Sequence, residues 1–160
     1  MAGKQGLDDG EQAAWRSFVE MHHLLERHLA RRLQREFGLS GADYEVLVNL
    51  SESPQGRMRA YELGRATMWE KSRLSHHLSR MEKRGLVRRE VDPGGDARFP
   101  SVVLTPEGRA AIEAAAPANA ARVRELFVDV LGKKRLALFR EASDDILAAV
   151  EAQLRGERPE

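Results

Sequence analysis

The fold is decided by the stretch that spans residues 60–87, AYELGRATMWEKSRLSHHLSRMEKRGLV. Its first part predicts a short helix over residues 60–67, because apolar residues recur there at helical spacing, and the next three residues predict a turn. A second helix is predicted over residues 71–84, with hydroxyl and basic side chains on its outer faces. The apolar residues of this second helix share one face: Leu74, Leu78 and Met81. Two helices joined by a short turn, the second with basic residues outwards, are typical of a helix-turn-helix.

Two β-branched runs come next, the first beginning at the end of this stretch (residues 86–91) and the second at residues 99–104. A glycine-rich segment separates them. They predict a β-hairpin, or wing, in which Pro100 has to lie at an edge or a bulge because proline donates no backbone hydrogen bond. Thr105-Pro106-Glu107 predicts the start of a helix, since a hydroxyl cap, a proline at the first position and an acid favour a helix N-terminus.

The helix that begins there is predicted to run to about Leu131, with a bend or an interruption at Pro117. Gly132 is predicted to separate it from a last amphipathic helix. Between residues 39 and 60, Ser40 and Asp43 form a capping-box pattern that predicts another helix, which ends at Ser53-Pro54.

A long helix that ends near Gly38 is predicted at the start of the chain, because apolar or aromatic residues recur there every three or four positions. These residues are Trp15, Phe18, His22, Leu25, Leu29 and Leu33. Such a stripe has more apolar surface than one small domain usually covers, so we expect the helix to pack against a second subunit. The sequence thus predicts a mainly α fold with a small β-hairpin wing: a winged helix-turn-helix at residues 39–105, flanked by dimerisation helices at 1–38 and 106–160.

Composition excludes several classes of function. The chain has 160 residues and no cysteine, which excludes a disulfide framework, a cysteine-ligated metal and a thiol nucleophile. The glycine-rich nucleotide loops, the GxSxG elbow and the HExxH zinc motif are all missing from the sequence, so we expect neither an enzyme nor a bound cofactor. No apolar run reaches the ~18 residues of a membrane helix and the N-terminus does not resemble a signal peptide, which predicts a cytoplasmic protein.

Basic charge is concentrated in the middle of the chain, although the whole sequence has a net charge of only +1. Residues 57–98 contain 11 basic and 6 acidic side chains, a net charge of +5, whereas residues 1–56 and 99–160 carry −3 and −1. A local basic segment between neutral or acidic ones is typical of a nucleic-acid-binding module. From charge alone, a solvated basic face remains an alternative.

Three short motifs resemble the MarR family of transcriptional regulators. They are the Arg84-Gly85-Leu86-Val87 junction, the Asp96-Ala97-Arg98 segment of the wing and the Leu104-Thr105-Pro106-Glu107-Gly108 start of the next helix. The resemblance covers nearly the whole chain. It implies that residues 71–84 form the recognition helix, which enters the major groove of double-stranded DNA.

The resemblance also implies particular DNA contacts. On the recognition helix they are Ser72, Arg73, Ser75, His76 and Arg80. Arg98 matches a wing-tip arginine that enters the minor groove, and Asp96 matches the acid that holds it in place. Where the family often has an arginine this chain has His76, which would make DNA binding pH-sensitive. Arg88 and Arg89 are interpreted as phosphate contacts or solvated charges.

Family members are usually homodimers that bind a pseudo-palindromic operator and block transcription, and many release DNA when a small, often aromatic, ligand binds. The resemblance therefore implies these partners for the present chain. Four residues of the first two helices and the turn are candidates for a ligand pocket: Trp15, His22, Tyr44 and Trp69. For Trp69 the alternative is a structural plug under the turn.

Two other functions stay open at this point. A zinc-responsive regulator is suggested by His22, His23 and His28 on one helix and by His76-His77 on another, but adjacent histidines point about 100° apart on a helix and do not chelate by themselves. We therefore expect no metal site. A winged helix used only for protein contacts would have an uncharged or acidic recognition helix, and the basic middle segment argues against this alternative.

Overall fold

A computed structural model of the chain describes residues 6–156 except 93, 94, 97 and 99, and it divides into two compact units, one ending at Asn119 and one beginning at Ala120. The elements, in chain order, are α1 (Asp9–Phe37), α2 (Gly41–Glu52), a 3-10 turn (Pro54–Gly56), β1 (Arg57–Arg59), α3 (Ala60–Thr67), α4 (Lys71–Lys83), β2 (Val87–Glu90), β3 (Ser101–Leu104), α5 (Pro106–Val123), a π-helical turn (Arg124–Val128) and α6 (Asp129–Gly156). Within the described ranges, no helix is long and apolar enough to cross a membrane.

Side-chain caps fix the N-termini of the first two helices. Asp8 and Glu11 form a reciprocal capping box at the start of α1, and Gly38 caps its C-terminus. The predicted box at the start of α2 is also formed: the Ser40 hydroxyl accepts from the Asp43 N–H at 3.0 Å, and the Asp43 carboxylate accepts from the Ser40 N–H at 2.8 Å. Such caps satisfy backbone donors that have no partner inside the helix.

The helix-turn-helix consists of α3 and α4, and both have the predicted bounds to within one residue. Met68 ends α3 in the left-handed conformation, with φ 54°, and its side chain is exposed. Non-glycine residues adopt this conformation at some cost. Met68 nevertheless closes the turn, because its N–H donates to the carbonyl of Arg65 and the Trp69 N–H donates to that of Gly64.

The wing is a three-stranded antiparallel sheet in the order β1-β3-β2. Arg57 pairs with Val103 on one side of β3, and Val87 pairs with Leu104 on the other. The sequence predicted a two-stranded hairpin and missed β1, which has only three residues, two of them arginines. The expected position of Pro100 at an edge or a bulge also differs from the structure: β3 is the central strand, and Pro100 lies outside it, before its first residue.

The start of α5 is locked against the end of α4. The Thr105 hydroxyl lies 2.6 Å from the carbonyl oxygen of Gly85 and accepts from the Gly108 N–H at 3.0 Å. A Cβ added at Gly108 would lie 2.0 Å from the carbonyl oxygen of Leu86, so only glycine allows α5 to approach β2 this closely. The threonine and the glycine of the Leu-Thr-x-x-Gly motif are thus structural residues.

The core of the first unit is formed by α2, α3, α4, the sheet, the end of α1 and the start of α5. Its buried apolar residues are Leu33, Leu39, Val46, Leu47, Leu50, Leu63, Leu74, Leu78, Met81, Leu86, Val87, Val102, Leu104, Ile112 and Ala115. The predicted apolar face of the recognition helix is therefore confirmed as its buried face. It seats the helix so that the opposite side faces solvent.

The second unit contains the end of α5, the π-helical turn and α6. Phe127 and Phe139 pack edge to face in it, with ring centroids 5.1 Å apart, but none of its described residues is buried. The predicted bend or interruption at Pro117 does not take the form of an interruption, because α5 continues through this residue to Val123; the irregular turn lies further on, at Arg124–Val128. The predicted break at Gly132 is present, with a non-helical φ of 67° and ψ of 168°.

Candidate nucleic-acid interface

The recognition helix α4 has a buried side and an exposed side. The side chains on its exposed side include every predicted DNA contact of this helix: Ser72, Arg73, Ser75, His76 and Arg80. Hydroxyl, imidazole and guanidinium groups can all donate hydrogen bonds to phosphates or base edges. The structure therefore places these five side chains together on one surface.

Positive charge on α3 and α4 is not neutralised within the part of the chain that the structure describes. No carboxylate oxygen there lies within 4.0 Å of the charged nitrogens of five cations, namely Arg65, Lys71, Arg73, Arg80 and Lys83. We call this set the α3–α4 cations. Exposed cations without a carboxylate partner produce a local positive potential that attracts a polyanion.

The root of the wing is different, since its arginines are paired with acids. Arg57 lies 2.7 Å from Asp92 and 3.3 Å from Glu90, and Arg59 lies 2.8 Å from the other oxygen of Asp92. The Ser101 hydroxyl donates to the same Asp92 carboxylate at 3.0 Å. These contacts tie β1 to the loop after β2, and they neutralise much of the charge of this part of the basic segment.

Arg89 is a structural residue, contrary to its interpretation as a phosphate contact or a solvated charge. Its guanidinium pairs with Glu82 of α4 and donates to the carbonyl oxygen of Ser75 at 3.0 Å, and its backbone N–H donates to Glu82 at 3.0 Å. β2 is thereby fastened to the recognition helix. Arg88 is half-exposed and pairs with Glu90 within its own strand.

Arg98 and Asp96 form a close ion pair at the wing tip. The Asp96 carboxylate accepts from the Arg98 backbone N–H at 2.9 Å, from Nε at 3.0 Å and from a terminal nitrogen at 2.6 Å. These bonds lower the pKa of Asp96 and raise that of Arg98. The Arg98 side chain is 82% exposed, so the pair orients a guanidinium that faces solvent. Residues 93, 94, 97 and 99 of the same loop lie outside the described part of the chain.

A buried network that the sequence analysis missed lies behind the recognition helix. His77 Nε2 is 3.1 Å from Asp43 Oδ1, although not in the direction of a hydrogen bond, and His77 Nδ1 accepts from Arg80 at 3.0 Å. Arg84 donates to Asp43 at 2.7 Å and to the carbonyl oxygen of Gly38 at 2.8 Å. The arginine of the Arg-Gly-Leu-Val junction therefore connects the end of α4 to the junction of α1 and α2.

Burial and charge shift the pKa values of this network. Burial alone would raise the pKa of Asp43, but hydrogen bonds from Arg84 and Ser40 outweigh it and hold the pKa below its ordinary value. For His77, burial lowers the pKa, and the nearby Arg80 and Arg84 act in the same direction against the opposing effect of Asp43. His77 is accordingly neutral at pH 7, as an acceptor for Arg80 must be.

Trp69 packs between the turn and the recognition helix. Its ring lies edge-on to His77, with centroids 5.4 Å apart, and the Arg73 guanidinium lies 4.3 Å above its centre. It is half-buried against the core, as the structural-plug interpretation expects. Trp15 and His22, in contrast, lie on exposed positions of α1, and Tyr44 packs against the core from α2. Among the described contacts, none joins these four candidate pocket residues to one another.

One signal in the sequence could have identified His77. It falls between Leu74 and Leu78 in the apolar spacing of α4 and is therefore on the buried face, where a histidine needs polar partners. Asp43 was recognised only as a cap, and its second role depends on tertiary contacts. Within the described residues, no group of three or more histidine, aspartate or glutamate side chains could hold a metal ion.

Comparison with known proteins gives the family. A sequence model described as MarR family matches residues 37–98. The transcriptional regulator HosA of Escherichia coli O111:H- is 33% identical over 126 residues, which cover 79% of this chain and 90% of that protein. AbsC, a MarR family transcriptional regulator from Streptomyces coelicolor, has a crystal structure that is 42% identical and superimposes with a TM-score of 0.84, covering 96% of this chain and 100% of AbsC.

A second relative was solved bound to DNA. Sco3205, a MarR family transcriptional regulator from Streptomyces coelicolor, is 36% identical to this chain and superimposes with a TM-score of 0.80. The match covers 99% of this chain and 94% of Sco3205. These relatives are regulators and not enzymes, in agreement with the sequence analysis. The mainly helical fold with its small wing also matches theirs. The chain belongs to the MarR family of transcriptional regulators.

Proposed function

We propose that this protein is a homodimeric, sequence-specific DNA-binding repressor that acts in the cytoplasm, binds a pseudo-palindromic operator and releases it when a small ligand binds. The α3–α4 cations are the observation that supports DNA as the ligand, because they give α3 and the recognition helix a positive charge that no described carboxylate neutralises. Phosphate neutralisation by such cations supplies much of the affinity of proteins for DNA.

The recognition helix would enter the major groove and Arg98 the adjacent minor groove. Ser72, Arg73, Ser75 and His76 lie in the first half of α4, which is the half that contacts base edges in helix-turn-helix proteins. Arg98 is supported by its exposure and by its bonds to Asp96, which limit the directions in which the guanidinium points. A minor-groove arginine responds to groove width and negative potential.

The dimer is supported by apolar side chains that remain exposed in the single chain. On α1 they include Trp15, Phe18 and Leu24, which are about half exposed. On α6 they include Ile146, Leu147, Val150 and Leu154. Exposed apolar surface of this extent marks a protein–protein interface, and two identical subunits match the two halves of a pseudo-palindromic operator.

Ligand-dependent release requires that the ligand bind more tightly to a dimer whose recognition helices are wrongly spaced. We keep Trp15, His22, Tyr44 and Trp69 as the candidate pocket, because aromatic side chains of the first two helices and the turn suit an aromatic ligand. Alanine at Trp15 or Tyr44 is expected to weaken release of a labelled duplex by an aromatic carboxylate such as benzoate. An unchanged response in both variants would remove this pocket.

The DNA proposal is tested with a labelled duplex from the promoter beside the protein's own gene. Fluorescence anisotropy at several salt concentrations should show specific binding that weakens steeply with salt. Arg98→Ala should weaken binding about tenfold or more, since one well-placed base or groove contact contributes ~1–3 kcal/mol. Arg88→Ala is the matched control, because Arg88 is also an arginine of the wing. This variant should change binding less. Sequence-independent binding that Arg98→Ala leaves unchanged would contradict the proposal.

A further inference from the structure

We propose that Trp69 and His77 are positioning residues that fix the guanidinium groups of Arg73 and Arg80 on the outer face of the recognition helix before DNA binds. The inference rests on the proposed function, because it assumes that this face contacts DNA. It concerns two residues behind the interface that would touch no base themselves. We call Trp69 and His77 the ring pair.

Arg73 is held by the face of an aromatic ring. Its guanidinium carbon lies 4.3 Å from the centre of the Trp69 ring, well within the distance at which cation–π attraction acts. This attraction to the ring does not use the N–H donors of the guanidinium as a hydrogen bond to an acceptor would. Glu45 also interacts electrostatically with Arg73 but lies too far away for an ion pair. The arginine is therefore held against the ring while its donors stay available.

Arg80 is held by a hydrogen bond from its own helix. One terminal nitrogen donates to His77 Nδ1 at 3.0 Å. Because arginine can only donate, Nδ1 has to be the acceptor, and the imidazole proton then lies on Nε2. Nε2 is 3.1 Å from Asp43 Oδ1 without the direction of a hydrogen bond, so the bond from Arg80 selects the tautomer. Asp43, Arg80 and Arg84 are the charged groups around this imidazole.

The two arginines rest on one continuous unit. The rings of Trp69 and His77 meet edge to face with centroids 5.4 Å apart, and the His77 side chain is only 10% exposed. Arg73, His77 and Arg80 are four and three positions apart, so they lie along one side of α4. Trp69 therefore supports Arg73, and His77 supports Arg80 about two helical turns further along the same side of α4.

Fixing the arginines in advance has a consequence for binding. Arginine loses much side-chain entropy when it is immobilised at an interface, and groups that are already ordered lose less. Removing either ring should therefore weaken specific binding through the arginine that it holds. Contacts with the phosphates of non-specific DNA tolerate more side-chain freedom and should change less.

Double-mutant cycles provide the test, with anisotropy measured on the promoter duplex and on a scrambled duplex of equal length. Arg73→Ala and Arg80→Ala should each weaken binding to the promoter duplex about tenfold or more. Trp69→Leu and His77→Leu should each weaken it roughly three- to tenfold. In the doubles Trp69→Leu/Arg73→Ala and His77→Leu/Arg80→Ala, the ring substitution should add almost nothing to the arginine substitution.

Matched variants separate positioning from folding. Trp69→Phe keeps an aromatic face and His77→Asn keeps an acceptor near the position of Nδ1, so both should restore most of the binding. Arg65→Ala combined with Trp69→Leu is the control, because Arg65 lies over the Tyr61 ring, at 5.9 Å, and not over Trp69. Here the two effects should add.

A second measurement needs no substitution. The ¹⁵Nε relaxation of arginine side chains in the DNA-free protein should show higher order parameters for Arg73 and Arg80 than for Arg65. Equal order parameters, or ring and arginine effects that add fully, would overturn the positioning role. If Arg73→Ala and Arg80→Ala do not weaken binding to the promoter duplex at all, the DNA interface itself is wrong, which is a distinct outcome.

Discussion

The two units of this chain differ in how they use their apolar residues. In the unit that ends at Asn119, fifteen described apolar residues form one buried cluster within a core made by five helices and a sheet, whereas no described residue from Ala120 onwards is buried. The second unit nevertheless has exposed isoleucine, leucine and valine along α6. The first unit therefore has a core of its own, and the exposed apolar side chains of the second are where we propose that another subunit packs.

The largest loss of stability is expected from a substitution where the first unit is packed most closely. Gly108→Ala places a Cβ 2.0 Å from the carbonyl oxygen of Leu86, which is backbone and cannot move without displacing β2. We expect the free energy of unfolding in urea to fall by about 3 kcal/mol or more. Gly64→Ala is the control, because its Cβ would meet Leu74 and Trp69 at 3.6 Å, an ordinary contact, and alanine favours a helix by ~1 kcal/mol. Equal stability of both variants would contradict this packing.

A charge introduced on α6 should weaken dimerisation and should not change the stability of the first unit. Leu147→Glu places a carboxylate where we propose that apolar side chains meet the other subunit, and losing one buried leucine costs ~2 kcal/mol. The dissociation constant of the dimer, measured by sedimentation, should rise about thirtyfold. Gln153→Glu adds the same charge at a polar position of α6 and should change it little. A dimer that tolerates Leu147→Glu would exclude this part of α6 from the interface.

Lowering the pH should cause a smaller loss of stability, and this loss should arise in the first unit. Burial lowers the pKa of His77 in the folded chain below its ordinary value of 6.5. As the pH falls through 6.5, the unfolded chain binds a proton that the folded chain does not. The contribution of His77 to the free energy of unfolding is therefore complete above pH 6.5 and decreases below it. The lowered pKa of Asp43 acts only at more acidic pH, below its ordinary value of 3.8.

Urea unfolding at pH 7.5 and 5.5 measures this effect. The wild-type protein should lose more stability than His77→Asn, which does not titrate. The same loss in both proteins would show that His77 does not contribute.

Sequence reasoning succeeded where local physical rules decide the structure. The capping box of Ser40 and Asp43, the turn before α4 and the start of α5 at Thr105-Pro106 were all predicted from neighbouring residues. The apolar spacing of Leu74, Leu78 and Met81 also determined which side of α4 faces solvent, and therefore which residues are candidates for DNA contact.

It failed where distant residues decide. β1 forms because β3 offers it an edge, and nothing within Arg57-Met58-Arg59 indicates a strand. The pairing of Arg89 with Glu82 and of Arg84 with Asp43 joins residues 7 and 41 positions apart, so a count of basic residues could not separate structural arginines from those exposed to a ligand. An interruption of the helix at Pro117 was also a wrong prediction, since α5 continues through that residue.

Hydroxyl-radical footprinting of the promoter duplex tests the central claim most directly. If two subunits each insert α4 into the major groove and Arg98 into the minor groove, we expect two protected half-sites one helical turn apart, about 10 base pairs, or a multiple of that spacing, with flanking minor-groove protection. Arg98→Ala should lose the flanking protection and keep the rest. Protection without half-site symmetry, or flanks that Arg98→Ala leaves intact, would contradict the account.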